Sequence, residues 1–164
     1  GHDAVEPFLD YKDRGVFVWC RSSNPGAGEI QDVMVTPPNG EEARPLYQWV
    51  AKIAEDWNEH NNVGLVVGAT YPEELAAIRD LHPRMPILIP GVGAQQGSLE
   101  RAVSSGVDDD GRMAIINVSR SVIYASGDRK EFAGAARISA ERIREHINRY
   151  LFSTGSPWPA PSHA

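Results

Sequence analysis

An α/β fold with parallel strands is what this sequence predicts, and three observations carry that expectation. Short apolar runs rich in β-branched residues recur at 16–20 (VFVWC), 63–68 (VGLVVG), 87–90 (ILIP) and 113–118 (MAIINV). Amphipathic helical patterns fall between and after them. Each run stops abruptly at small or polar residues, as strands do when they open into loops: Arg21-Ser22-Ser23, Pro90-Gly91-Val92-Gly93 and Ser119-Arg120. Continuous rather than alternating hydrophobicity suits strands covered on both faces. Repeated strand-loop-helix units suit right-handed crossovers between parallel strands. From these patterns alone the chain is half of a (β/α)₈ barrel or a small open α/β sheet.

The elements follow in order. Residues 1–13 hold Val5, Phe8, Leu9 and Tyr11 with Pro7 placed as in the first turn of a short amphipathic helix, and Gly15 stops it. The strand at 16–20 ends in the turn-rich Arg21-Ser22-Ser23-Asn24-Pro25-Gly26, and residues 28–40 read as loop, broken most strongly at Pro37-Pro38-Asn39-Gly40. Leu46, Trp49, Val50, Ile53, Ala54 and Trp57 then make one helical stripe that starts at Pro45 and ends at Asn61-Asn62. Burial against a sheet is the expected use of that stripe. After the strand at 63–68, Thr70-Tyr71-Pro72-Glu73 reads as a capping box, with Leu75 and Ile78 inward and His82-Pro83 as the stop. A short helix follows at 98–104 with Leu99, Ala102 and Val103 inward. The acidic turn Asp108-Asp109-Asp110-Gly111 precedes the last strand. It lacks the alternating spacing and closing Glu of a calcium loop. A short helix at 120–124 and a long one at about 130–152 complete the order, the latter with a charged face of Arg137, Arg142, Arg144 and Arg149 beside Glu141 and Glu145. Residues 153–164 are rich in Pro and Ser and read as a flexible tail, leaving 1–152 as the folded unit.

A chain of 164 residues that is 41% hydrophobic can bury a core, yet a whole (β/α)₈ barrel takes about 250 residues. The chain also opens at Gly1-His2-Asp3 without Met, so it is expected to be the C-terminal part of a longer protein. Its net charge of -6 argues against a binder of nucleic-acid polymers but not against a small phosphorylated ligand. The single Cys20 lies in an apolar run and reads as a buried, inert thiol. No run approaches the length of a membrane helix, so no membrane partner is expected, and the cytoplasm is the default location. The five histidines show no metal-ligand spacing, so no metal is expected either.

Four blocks together resemble the orotidine 5′-phosphate decarboxylase family, in the branch common in mycobacteria and other bacteria. They are residues 15–27 (GVFVWCRSSNPGA), 66–79 (VVGATYPEELAAIR), 88–95 (LIPGVGAQ) and 115–125 (IINVSRSVIYA), in the family's order and at about its spacings. The resemblance spans residues 3–150. It implies a (β/α)₈ TIM barrel of which this chain carries only the C-terminal half, about four βα units that would be strands five to eight. It also implies decarboxylation of orotidine 5′-phosphate (OMP) to UMP and CO₂ in pyrimidine biosynthesis, with no cofactor and with a homodimer as the full-length enzyme.

Carried onto this sequence, the resemblance makes Arg120 the phosphate ligand, a planar fork of donors suited to phosphate oxygens. Ser119, beside it at the strand end, joins the same anion-binding mouth. Gln95 would bridge the pyrimidine and the phosphate from a lid loop. Gly91 and Gly93 are that loop's hinge and bring backbone N–H groups to the anion. The family often continues with two glycines where this chain has Gln96 before Gly97, a change that bears on lid closure. Ser23 matches the family's pyrimidine-binding Ser, although Ser-Asn-Pro-Gly is also ordinary turn chemistry.

The family's catalytic Asp-x-Lys-x-x-Asp motif, whose ammonium would stabilise carbanion character at C6, is absent. Among Lys12, Lys52 and Lys130, only Lys12 sits in an Asp-x-Lys, with the next acid at Asp13 and no preceding strand. Lys12 therefore reads as a solvated helix-end residue. The expectation is that the parent protein is a carboxy-lyase and that this chain alone is inactive. Two alternatives are an inactive half-barrel that binds nucleotide and another barrel enzyme handling a sugar phosphate.

Overall fold

The computed structural model describes residues 1–38, 40–93 and 97–155. Its centre is a four-stranded parallel sheet, β1 (Val16–Arg21), β4 (Val63–Val67), β5 (Ile87–Ile89) and β6 (Ala114–Ile116), in the order β1-β4-β5-β6. Helices α3 (Leu46–Asp56), α4 (Pro72–Leu81) and α5 (Leu99–Gly106) pack on one face, joined by crossovers that keep the strands parallel. The chain opens with α1 (His2–Leu9) and closes with α6 (Arg120–Ile123) and the long α7 (Phe132–Ser153). The core between sheet and helices contains Leu65, Val67, Leu75, Ile78, Ile87 and Ile89, each at 0% exposure. Burying side chains of this size contributes about 1.5–3 kcal/mol each.

The opposite face of the sheet is open. Phe17 and Trp19 alternate with the packed Val16 and Val18 along β1 and are 40% and 60% exposed, and Ile115 on β6 is 47% exposed. The expectation that β1 is covered on both faces is therefore corrected: within this chain only its helix side is covered. β4, in the middle of the sheet, is buried along its whole length, as its unbroken apolar run predicted.

Several local expectations shift. Pro7 lies inside α1 rather than in its first turn, where it withholds an N–H from the helix ladder, and the helix ends two residues later at Leu9. Residues 28–40 are not all loop. They hold the single-turn α2 (Gly28–Gln31), and β2 (Met34–Val35) pairs antiparallel with β3 (Arg44–Pro45). Elements this short leave no periodicity to read. In α3 the buried positions are Tyr47, Ala51 and Ala54, with Val50 and Trp57 packed beside them. The two alanines let the helix backbone approach the sheet, and the larger Trp49 and Ile53 stay half-buried at the margin. β6 is shorter than the apolar run suggests because Met113 has a left-handed φ of 65°, which keeps it out of the strand. Helix α7 extends to Ser153, and residues 156–164 of the expected tail lie outside the described residues.

Cys20 is 1% exposed, and burial pushes its thiol from 9.0 up to about 12, the one opposing contribution being a backbone hydrogen bond from Val66. Above pH 9 the unfolded chain loses this proton while the folded chain keeps it, so the contribution to stability is present below pH 9 and declines towards pH 12. Urea unfolding from pH 8 to 11 is expected to show a steeper decline for the wild-type chain than for Cys20→Ala. Parallel curves would mean that the thiol ionises equally in both states.

Candidate functional site

The loop after β1 is built by a bulge and a set of braces. The register with β4 slips between Trp19 and Arg21, so Cys20 and Arg21 are both buried and the chain enters the loop re-aimed. Ser23 follows, 9% exposed. Gly68, just past β4, lies so close to it that a Cβ there would sit 2.6 Å from the Ser23 Cα. The Thr70 hydroxyl donates to the Ser23 carbonyl at 2.8 Å, and the Tyr71 hydroxyl donates to the carbonyls of Asn24 and Pro25 at 3.1 and 3.3 Å. The capping box expected at Thr70 is thus corrected. Tyr71 occupies the cap of α4, Thr70 braces the Ser23 loop, and the carboxylate of Glu73 pairs with Arg101. Glu73 is held below the ordinary carboxylate range, first by a hydrogen bond from its own backbone N–H and then by Arg101.

The loop after β5 turns on two glycines. Gly91 and Gly93 have φ of 98° and 79°, conformations that L side chains rarely adopt. The base of the loop is pinned where the Gly97 N–H donates to the Gly91 carbonyl and the Gly93 N–H to the Gly97 carbonyl. Gly93 also approaches α6, where a Cβ would come within 3.1 Å of the Ser121 Oγ. Gln95 and Gln96 lie outside the described residues. Helix α5 starts at Ser98, whose hydroxyl accepts the Arg101 N–H at 3.3 Å as a cap.

These loops enclose a cleft of about 690 Å³ at the C-terminal ends of the strands. Ser23, Thr70 and Tyr71 line one side, Gly97, Ser98 and Arg101 another, and Arg120 completes it from the first turn of α6. Two of the predicted residues, Ser23 and Arg120, therefore share one cleft. Ser119, Gly91 and Gly93 are not among its lining residues, and the Ser119 hydroxyl donates to the Asn117 side chain at 3.3 Å. Arg101 was not singled out from sequence. It looked like an ordinary charged helix residue, and only the packing of α5 on α4 brings it to the cleft. Among the described residues Arg101 is tied to Glu73, whereas the Arg120 guanidinium has no ion pair. None of the three lysines lines the cleft: Lys12 and Lys130 are exposed, and Lys52 pairs with Asp56 on α3. No group of three or more His, Cys, Asp or Glu able to hold a metal occurs among the described residues.

A larger cleft, about 830 Å³, lies at the other end of the sheet between Arg79, Arg84, Asp108 and Tyr150. It sits where β5 and β6 begin, the end of such sheets that reads as stability rather than chemistry. The Asp108 Oδ1 is occupied there by the N–H groups of Asp110 and Arg112, a closed acidic turn.

Comparison with known proteins agrees with this geometry. A family model described as "Orotidine 5'-phosphate decarboxylase / HUMPS family" matches residues 1–135. The chain belongs to this family. It is 52% identical over 150 residues to the orotidine 5′-phosphate decarboxylase of Thermomicrobium roseum, covering 91% of this chain and 52% of that protein. Against the Cupriavidus necator enzyme of the same name it is 49% identical over 151 residues, covering 92% and 53%. The chain thus spans about half the length of these curated relatives. The solved OMP decarboxylase of Leishmania donovani superposes with a TM-score of 0.76 at 38% identity, over 93% of this chain and 54% of that one. The UMP synthase of the same organism gives 0.73 at 40% identity, over 90% and 31%. The solved relatives of this family are TIM barrels, and the parallel sheet with helices on one face and an open second face is half of one. No helix among the described residues is long and apolar enough to cross a membrane.

Proposed function

We propose that this chain is the nucleotide-binding half of an orotidine 5′-phosphate decarboxylase, the enzyme that converts OMP to UMP and CO₂ in pyrimidine biosynthesis. The observation that carries the reading is the meeting of Ser23 and Arg120, far apart in sequence, in one cleft at the strand ends. In this reading Arg120 takes the phosphate through two N–H groups, and Ser23 hydrogen-bonds the pyrimidine from its braced loop. Gly91 and Gly93 give the loop between them and Gly97 the backbone freedom to close over the ligand, with Gln95 and Ser119 as further contacts. Decarboxylation breaks the bond from C6 to the carboxylate, releases CO₂ and leaves an electron pair on C6 that a proton then takes. A fixed ammonium suits that step, and none of this chain's lysines lines the cleft. The chain alone is therefore proposed to bind nucleotide without turning OMP over. The homodimer and cytoplasmic location implied by the resemblance belong to the same proposal for the whole enzyme.

A sugar-phosphate barrel enzyme would use the same phosphate end but would have no call on the Ser23 loop. Calorimetric titration of this chain with UMP and with ribulose 5-phosphate separates the two. UMP is expected to bind about tenfold more tightly or better, from about one further hydrogen bond and the ring's burial. Equal affinities, or no UMP binding, would overturn the reading.

A further inference from the structure

Arg21 is a cation at 1% exposure at the end of β1, and nothing in the phosphate or pyrimidine contacts uses it. Simple strand alternation would put it on the open face with Phe17 and Trp19. The register slip turns it instead into the packed side of the sheet. Bulges are rare in parallel pairs and often re-aim a side chain beside an active site. Once turned, the guanidinium lies 3.8 Å from the centre of the Tyr71 ring, a cation–π stack. Its Nη2 donates to the Asp32 Oδ2 at 3.0 Å and its Nη1 to the Gln31 Oε1 at 3.4 Å, while Nε has no partner among the described residues. A buried cation that leaves one donor unpaired is costly, and packing alone would favour an apolar side chain here.

Two of the three groups that Arg21 holds, Gln31 and Tyr71, act on the loop carrying Ser23. The Gln31 Oε1 that accepts from Arg21 also accepts the Ser22 backbone N–H at 2.8 Å. The Tyr71 ring that stacks on Arg21 sends its hydroxyl to the carbonyls of Asn24 and Pro25. Ser23 thus sits between two anchored neighbours, and one guanidinium sets both anchors.

We propose that Arg21 is a positioning residue: through Gln31 and the stacked Tyr71 it fixes the loop that presents Ser23 to the base. The proposal rests on the reading of Ser23 as the pyrimidine contact. Arg21 acts on the base end of the ligand and leaves the phosphate end to Arg120.

The test is the ratio of affinities for UMP and ribose 5-phosphate, measured calorimetrically on the wild-type chain, Ser23→Ala, Arg21→Met and Tyr71→Leu. The wild type is expected to prefer UMP. Ser23→Ala, Arg21→Met and Tyr71→Leu are each expected to lower that preference by about five- to tenfold, the scale of one lost hydrogen bond, with ribose 5-phosphate affinity unchanged within about twofold. If Ser23→Ala leaves the ratio unchanged, the pyrimidine reading fails and the proposal with it. If Ser23→Ala lowers the ratio but the other two variants keep it, only the positioning role fails. An equal fall for both ligands in Arg21→Met would show a merely structural role and also overturn it. Should Arg21→Met not fold, Arg21→Lys keeps a buried cation but loses the planar stack and the fork, and an unchanged UMP preference in that variant overturns the positioning role.

Discussion

Arg79→Met is expected to lower the unfolding free energy of this chain by about 3–5 kcal/mol, the scale of leaving a few buried carbonyls without their donor. Arg79 is 6% exposed on the inner side of α4, and all of its hydrogen bonds go to backbone carbonyls. Nε and Nη2 both donate to Gly106 at the end of α5, at 2.9 and 2.7 Å. Nη1 reaches His82, Pro83 and Met85 between α4 and β5, and Nη2 also reaches Met113 ahead of β6. One side chain thus closes the ends of two helices and the entries to two strands. Methionine fills most of its volume but donates nothing, and each buried carbonyl left without a partner costs about 1–3 kcal/mol. Water from the neighbouring cleft would reach some of them, which is why the expected total stays below their sum. Domains of this kind have only about 5–15 kcal/mol to lose. Lysine at this position is expected to recover less than half, because a single ammonium cannot reach both ends of the fork's span. Urea unfolding of the wild type, Arg79→Met and Arg79→Lys measures this. A loss below about 1 kcal/mol would mean that water substitutes for the guanidinium.

Arg79 also marks the limit of what the sequence made legible. The apolar runs located all four strands of the main sheet, and the acidic turn at Asp108 held in the structure. Residues with distant partners were not readable. Nothing local distinguishes Arg79 from a solvated helix arginine, or Arg101 from another, because their acceptors come from other segments of the chain. Thr70 illustrates the same point in reverse. Its local pattern is a good capping box, yet the approach of the Ser23 loop gives its hydroxyl a different acceptor. The bulge at Cys20 has no signal in an apolar run, and it decides which way Arg21 faces. Ser23 and Arg120 were found because family resemblance supplied the long-range pairing that spacing lacks.

Arg120→Ala is expected to weaken UMP binding by about 1.5–3 kcal/mol, the scale of hydrogen bonds to a charged group. Most arginines that line or border this end of the sheet are already engaged: Arg21 with Asp32 and Tyr71, and Arg101 with Glu73. The Arg120 guanidinium, without an ion pair among the described residues, does not have to break one to meet a phosphate. That makes it the cation whose binding energy is least offset by a competing carboxylate. Arg120→Lys keeps the charge but not the planar fork, so it is expected to fall between wild type and alanine. Raising the salt concentration is expected to narrow the gap between the variants, since a charge at the mouth of an open cleft is partly screened. The fold itself is expected to be indifferent to the change, because the Arg120 side chain is exposed and α6 is held by backbone bonds from Val122, Ile123 and Tyr124. Titration of UMP into the three proteins, with unfolding curves alongside, checks both halves of this expectation. Unchanged UMP affinity in Arg120→Ala would move the phosphate elsewhere in the cleft, with Arg101, released from Glu73, as the cation next in line.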